Sequence, residues 1–160
     1  MSDRDKIELD YLDLRILDAL LTDARATFKE LAKNVDSNQK MVARRIEKLV
    51  KLGIIKSFTI EVDWAKLGLN CIAYMGTRTA PDVSTIQKLY RFIEKEPRII
   101  RADATVGINE YILLAIDRNV EGLRENVATP LEPLTSGIST SIVTKNLKLD
   151  YKSIIKLLKE

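Results

Sequence analysis

The chain of 160 residues contains no histidine and a single cysteine, Cys71. The first absence removes the commonest metal ligand and the commonest general base. The second excludes an internal disulfide and any zinc-type cysteine spacing. A cytosolic protein with no metal, no cofactor and no catalytic residues is the resulting expectation. Apolar runs of about 18 residues or more are also missing, so no membrane span is expected. The amino terminus is acidic where a signal peptide would be basic and then apolar. A net charge of +3 is too small to identify a partner. With 46% hydrophobic and 31% charged residues, the composition suits one globular domain or two small ones.

The charge is, however, localised. Residues 1–23 hold seven acids and three bases, whereas residues 37–57 hold six bases (Lys40, Arg44, Arg45, Lys48, Lys51, Lys56) and one acid, Glu47. The first stretch reads as an amphipathic helix over about 9–21, from the spacing of Leu9, Leu12, Ile16 and Leu20, and ends at Asp23 and Ala24. Thr27 and Glu30 make a capping box for a short second helix, roughly 28–34. Ser37 or Asn38 can cap a third helix that runs to Leu52, with Gly53 as its left-handed terminator. On that helix Val42, Ile46, Leu49 and Val50 form one stripe, and Lys40, Arg44, Lys48 and Lys51 lie nearly opposite. A short helix, a tight turn and a longer helix with an outward basic face is the arrangement that sets a helix into the DNA major groove. Taken alone, a run of Lys and Arg is more often the solvated face of an ordinary amphipathic helix, but such a face normally mixes signs.

Beyond Gly53, Ser57 to Asp63 alternate like a half-buried strand, and Trp64 to Asn70 read as a turn or hinge. Strands are then expected over 70–79, 99–106, 111–117 and 138–147. One helix opens at Pro81 and Asp82 and shares the face Val83, Ile86, Leu89, Tyr90 and Ile93. A second, with Val120, Leu123 and Val127, is broken by Pro130 and Pro133. Residues 107–110 suit a hairpin, and Tyr151 to Leu158 a short terminal helix. The order β-α-β-β-α-β is the ferredoxin-like motif, whose uncovered sheet face favours dimerisation. The expected fold is therefore α+β, with a helix-turn-helix domain at 1–56, a linking strand and hinge at 57–69, and a ferredoxin-like dimerisation domain at 70–160.

Four stretches in this order resemble the Lrp/AsnC family of prokaryotic transcription regulators: Leu9 to Val35, RRIEKLVKLGIIKSF from Arg44 to Phe58, VDWAKLGL from Val62 to Leu69, and VGINEYILL from Val106 to Leu114. The resemblance covers nearly the whole chain. It implies that the first domain is a winged helix-turn-helix and the second also effector-binding, with operator binding at a pseudo-palindromic site, homodimers and often octamers, and an amino acid bound between subunits. By resemblance Ser37, Asn38, Gln39, Lys40, Ala43 and Arg44 stand at the DNA end of the third helix, with Gln39, Lys40, Ala43 and Arg44 on base edges and Lys48 and Lys51 on phosphates. Arg25, in the preceding turn, is a phosphate contact or an ordinary loop arginine. Arg45, beside the apolar stripe, is expected in a structural ion pair. The implied effector site comprises Gly107, Asn109, Glu110 and Tyr111 with Ser139, Thr140 and Ser141, and departs from the family pattern at Ile108, where an acid is common. A glycine hairpin needs no ligand to explain it. Two further readings remain: an architectural DNA-binding protein of little sequence preference, and an enzyme on the same fold. Family relatives that act as enzymes depend on histidine, and Glu110, Tyr74, Tyr111 and Cys71 form no acid/base pair or triad by spacing.

Overall fold

A computed structural model describes residues 7–79 and 82–158, so the expected helix-opening role of Pro81 lies outside the described residues. The chain divides into two compact units, Met1–Glu61 together with Lys148–Glu160, and Val62–Leu147. The carboxy-terminal residues thus belong with the amino-terminal helices, whereas position in the chain groups them with the second domain.

The first unit is built on α1 (Tyr11–Thr22), α2 (Phe28–Asn34) and α3 (Gln39–Lys51). Each start is fixed by a side chain. Asp10 and Asp13 form a capping box for α1, Thr27 and Glu30 do the same for α2, and Asn38, rather than Ser37, caps α3 through the Met41 amide. The turn between α2 and α3 places Asp36 at a φ of +52°, a conformation that aspartate tolerates better than most residues, and Arg15 closes it by donating to the Asn34 carbonyl at 2.7 Å. Gly53 follows α3 at a φ of +69°. Ile16, Leu31, Val35, Val42, Ile46 and Leu49 form the core. Val50, expected in that stripe, is exposed.

Ser57 to Asp63 pair with no strand among the described residues. The alternation expected to make a linking strand is present, but nothing among the described residues supplies the ladder that a strand needs. Trp64–Leu67 form a 3-10 turn closed by Gly68 at a φ of +86°.

The second unit is a four-stranded antiparallel sheet of β1 (Cys71–Thr79), β2 (Ile99–Ala104), β3 (Tyr111–Asp117) and β4 (Thr135–Ile142), in the order β2-β3-β1-β4. One face carries Ala73, Met75, Leu113 and Ala115, which pack with Leu89 of α4 (Val83–Lys95) and with Leu123, Val127 and Leu131. Val83, Tyr90 and Val120 remain exposed; the buried part of α4 is Leu89 with Phe92 and Ile93 beside it. The last strand ends at Ile142, short of the expected Leu147.

Pro130 does not break the second helical run. From α5 (Val120–Leu123) the chain widens into a π turn over Arg124–Ala128 and tightens again through α6 (Thr129–Leu131) and a 3-10 turn, Glu132–Leu134. The Thr129 amide reaches back to the Arg124 carbonyl, so the run stays hydrogen-bonded up to the residue before the proline. The Asp117 carboxylate braces this run. It accepts from the Arg98 Nε at 2.9 Å and the Asn126 Nδ2 at 3.1 Å, while Asn126 also donates to the Gly122 carbonyl. Burial alone would raise the Asp117 pKa; the Arg118 amide, Asn126 and Arg98 outweigh it and hold it below the usual value.

Leu89 is fully buried under the sheet. Leu89→Ala is expected to cost about 2–5 kcal/mol in urea unfolding, through the transfer energy of the deleted atoms and the cavity left behind.

Candidate nucleic-acid interface and effector loop

The outward face of α3 divides its cations into two groups. Arg45 and Lys48 turn toward α1. The Arg45 Nη1 donates to both Asp10 and Asp13, the latter at 3.1 Å, and the Lys48 Nζ lies 2.8 Å from the Asp13 Oδ2. The Asp13 side chain has no exposed surface, so its charge is tolerable only with both cations in place. The expected structural pair of Arg45 is therefore present. Lys48, expected on phosphate, is instead part of the same bracket. Its charge is already compensated within the fold.

Lys40, Arg44 and Lys51 are exposed and have no ion-pair partner among the described residues. Gln39 is exposed beside them and Ala43 is half-buried, while Asn38 spends its side chain on the cap. Ser37 supplies its amide to the Ala32 carbonyl, and so serves the turn. Arg25 is exposed in the turn before α2, where its amide is bound by Asp23. The arrangement is thus a basic helix whose amino-terminal part exposes Gln39, Lys40 and Arg44, held on its scaffold by a buried carboxylate. Sequence reasoning misses Asp10 and Asp13 as part of the site. The signal for them is two carboxylates three residues apart at a helix start, the spacing of a capping box.

In the second unit the expected effector loop joins β2 to β3. The Thr105 amide donates to the Glu110 carbonyl at 2.7 Å, its hydroxyl to the Asn109 carbonyl at 2.6 Å, and the Glu110 amide to the Thr77 carbonyl at 2.9 Å. Arg78 on β1 donates its Nε to the Ile108 carbonyl at 2.7 Å, which fastens a guanidinium to the loop. Gly107 takes a φ of +157°. The Asn109 side chain lies on Gly76, where a Cβ would collide with it. The hydroxyls of Tyr111 and Tyr90 are 2.9 Å apart, and this bond pushes the Tyr111 pKa up to about 12. The Tyr111 phenol therefore stays neutral at ordinary pH.

The three expected hydroxyls do not converge. Ser139 is opposite Gly76 and Ser141 opposite Tyr74, on the open face, whereas Thr140 is opposite Met75, on the face that carries the core. Ser139 and Ser141 can share a ligand with Asn109; Thr140 cannot join them. Ser139 also donates to the Gly76 carbonyl at 3.2 Å. Sequence reasoning misses Arg78, Gly76 and Tyr90 as neighbours of the loop because strand pairing brings the first two there and the packing of α4 on the sheet brings the third.

The winged helix-turn-helix DNA-binding family matches residues 9–56. Over 145 residues the chain is 30% identical to the transcriptional regulator LrpC of Bacillus subtilis, covering 88% of this chain and 98% of the relative. Among solved structures, the transcriptional regulator NMB0573 of Neisseria meningitidis in complex with L-Met superposes at a TM-score of 0.84, with 21% identity over 91% of this chain and 96% of that one. AsnC of E. coli superposes at 0.78, with 23% identity over 90% and 97%.

Arg45→Ala would leave Asp13 buried with one cation and is expected to destabilise the protein by about 3 kcal/mol. Arg44→Ala, on the open face, should change stability by no more than about 0.5 kcal/mol. Chemical denaturation of the two variants measures the difference. Asp10 is held below its ordinary pKa of 3.8, first by the Asp13 amide and then by Arg45. A carboxylate lowered in the fold stabilises above its unfolded value and loses that contribution as pH falls through the folded one. Melting curves should therefore show the wild-type advantage over Asp10→Asn at neutral pH and its disappearance below pH 3.8.

Proposed function

The chain belongs to the Lrp/AsnC family of transcription regulators, and on that premise we propose a sequence-specific regulator that binds a pseudo-palindromic operator as a homodimer and takes an amino acid or similar small effector in its second unit. The observation that carries the DNA reading is the sorting of cations on α3. Lys40, Arg44 and Lys51 stay outside the internal bracket, on the face opposite Val42, Ile46 and Leu49, and Gln39 joins them at the entering end. Arg44 or Lys40 on guanine and Gln39 on adenine are the base contacts; Lys51 is the phosphate contact.

Two features support the dimer. The open face of the sheet leaves Tyr74 and Ile112 exposed, and the 57–63 segment, which pairs with no strand among the described residues, leaves Phe58 and Ile60 exposed. Each kind of surface is one that a second copy can cover.

For the effector, the Glu110 amide is already bound to Thr77, so the carboxylate falls to the Ile108 and Asn109 amides and to Arg78. Ser139 and Ser141 approach from β4. Glu110 and loop carbonyls are the partners for an ammonium. The L-Met carried by the Neisseria relative is a precedent for the class of ligand. Ile108, in place of an acid, makes the site less anionic and suits a neutral amino acid better than a cationic one.

Selection from random DNA should return half-sites about 10 base pairs apart, or a multiple of that spacing. Arg44→Ala should relax preference at one base position by about 1–3 kcal/mol while other positions keep theirs. Uniform footprints without preferred sites would point to the architectural alternative. In a thermal-stability panel of the twenty amino acids, a true effector at 100 times its dissociation constant should add about 2.7 kcal/mol, and Arg78→Ala should abolish that gain.

A further inference from the structure

The structure assigns the carboxy-terminal segment, residues 148–158, to the DNA-binding unit, and we propose that Lys152 and Lys156 there are a second phosphate-contact surface, far from α3 in sequence. The segment forms a 3-10 helix, Lys152–Leu158, that packs against α1 and buries Ile155 to 7% exposure. Asp150 fixes its start by accepting from the Ser153 amide and hydroxyl. Lys148 is drawn to Asp150 at 3.9 Å, whereas Lys152 and Lys156 are exposed with no ion-pair partner among the described residues.

Charge on the unit gives the segment its role. Residues 7–61 hold ten bases and nine acids, a net of +1, and two of those bases, Arg45 and Lys48, are bound to Asp10 and Asp13. A recognition helix left with three uncommitted cations has little sequence-independent adhesion, yet such proteins draw most of their affinity from phosphate neutralisation. Residues 148–158 add three bases and one acid, which raises the net charge of the unit to +3. Anchoring by Ile155 matters because a docked cation loses less conformational freedom on meeting a phosphate than one on a loose tail.

The test is the salt dependence of binding to a random-sequence DNA duplex by the full chain. In the double variant Lys152→Gln/Lys156→Gln, which keeps Ile155 and the Asp150 cap, the slope of log affinity against log salt should fall in magnitude by about 0.9 for each phosphate no longer neutralised, about 1.8 in all, with an unchanged melting temperature. A charge-matched control on α4, Lys88→Gln/Lys95→Gln, should keep the wild-type slope. An unaltered slope in the first variant overturns the proposal, as does an equal fall in the control, which would reduce the effect to bulk charge. A changed oligomeric mass at constant slope would overturn it too, by giving the segment to a protein interface. The proposal rests on the DNA-binding reading, and if the wild-type chain showed no salt-dependent binding, both would fall.

Discussion

A carboxylate with no exposed surface forces its surroundings to supply positive charge, and Asp13 imposes that demand on the recognition helix. Two of the five cations of α3 answer it. The consequence is twofold. α3 is locked against α1 by charge as well as by the apolar stripe, so its orientation is fixed before DNA arrives. The remaining cations are then those that face away from the fold. Function on this helix is what is left after the scaffold has taken its share.

A comparable logic governs the second unit. One face of its sheet is filled by helices, and the run after β3 continues across Pro130 through a π turn, braced by Asp117 and buried through Val127 and Leu131. The other face is left open, with a loop at its end held by Thr105, Thr77 and Arg78. A sheet with a positioned loop and an uncovered face is suited to hold a small molecule, and in the proposed dimer that molecule would lie where copies meet.

Much of this is legible in the sequence, for reasons that can be named. Capping boxes, helical stripes and the β-α-β-β-α-β order depend on neighbours within a few residues, and those elements appear at or near their expected bounds. The structural pair of Arg45 can be read in advance because its position on the helix wheel is local information. That of Lys48 cannot, since its wheel position suits either phosphate or Asp13, and only the packing of α1 decides between them. The same limit explains Thr140, whose face depends on register, and Pro130, across which the helical run continues. The carboxy-terminal segment is the extreme case: its partner, α1, is at the other end of the chain, and no local pattern records the contact.

If Asp13 sorts the cations of α3 into structural and DNA-contacting groups, neighbouring lysines on one helix must behave differently. Parallel measurements of unfolding free energy and salt-dependent DNA affinity on Lys48→Ala and Lys51→Ala test this most directly. Lys48→Ala should destabilise the fold and keep the wild-type salt slope. Lys51→Ala should leave stability within about 0.5 kcal/mol and reduce the slope by about 0.9. The reverse pattern, with Lys48 carrying the salt dependence at no cost to stability, would contradict that division.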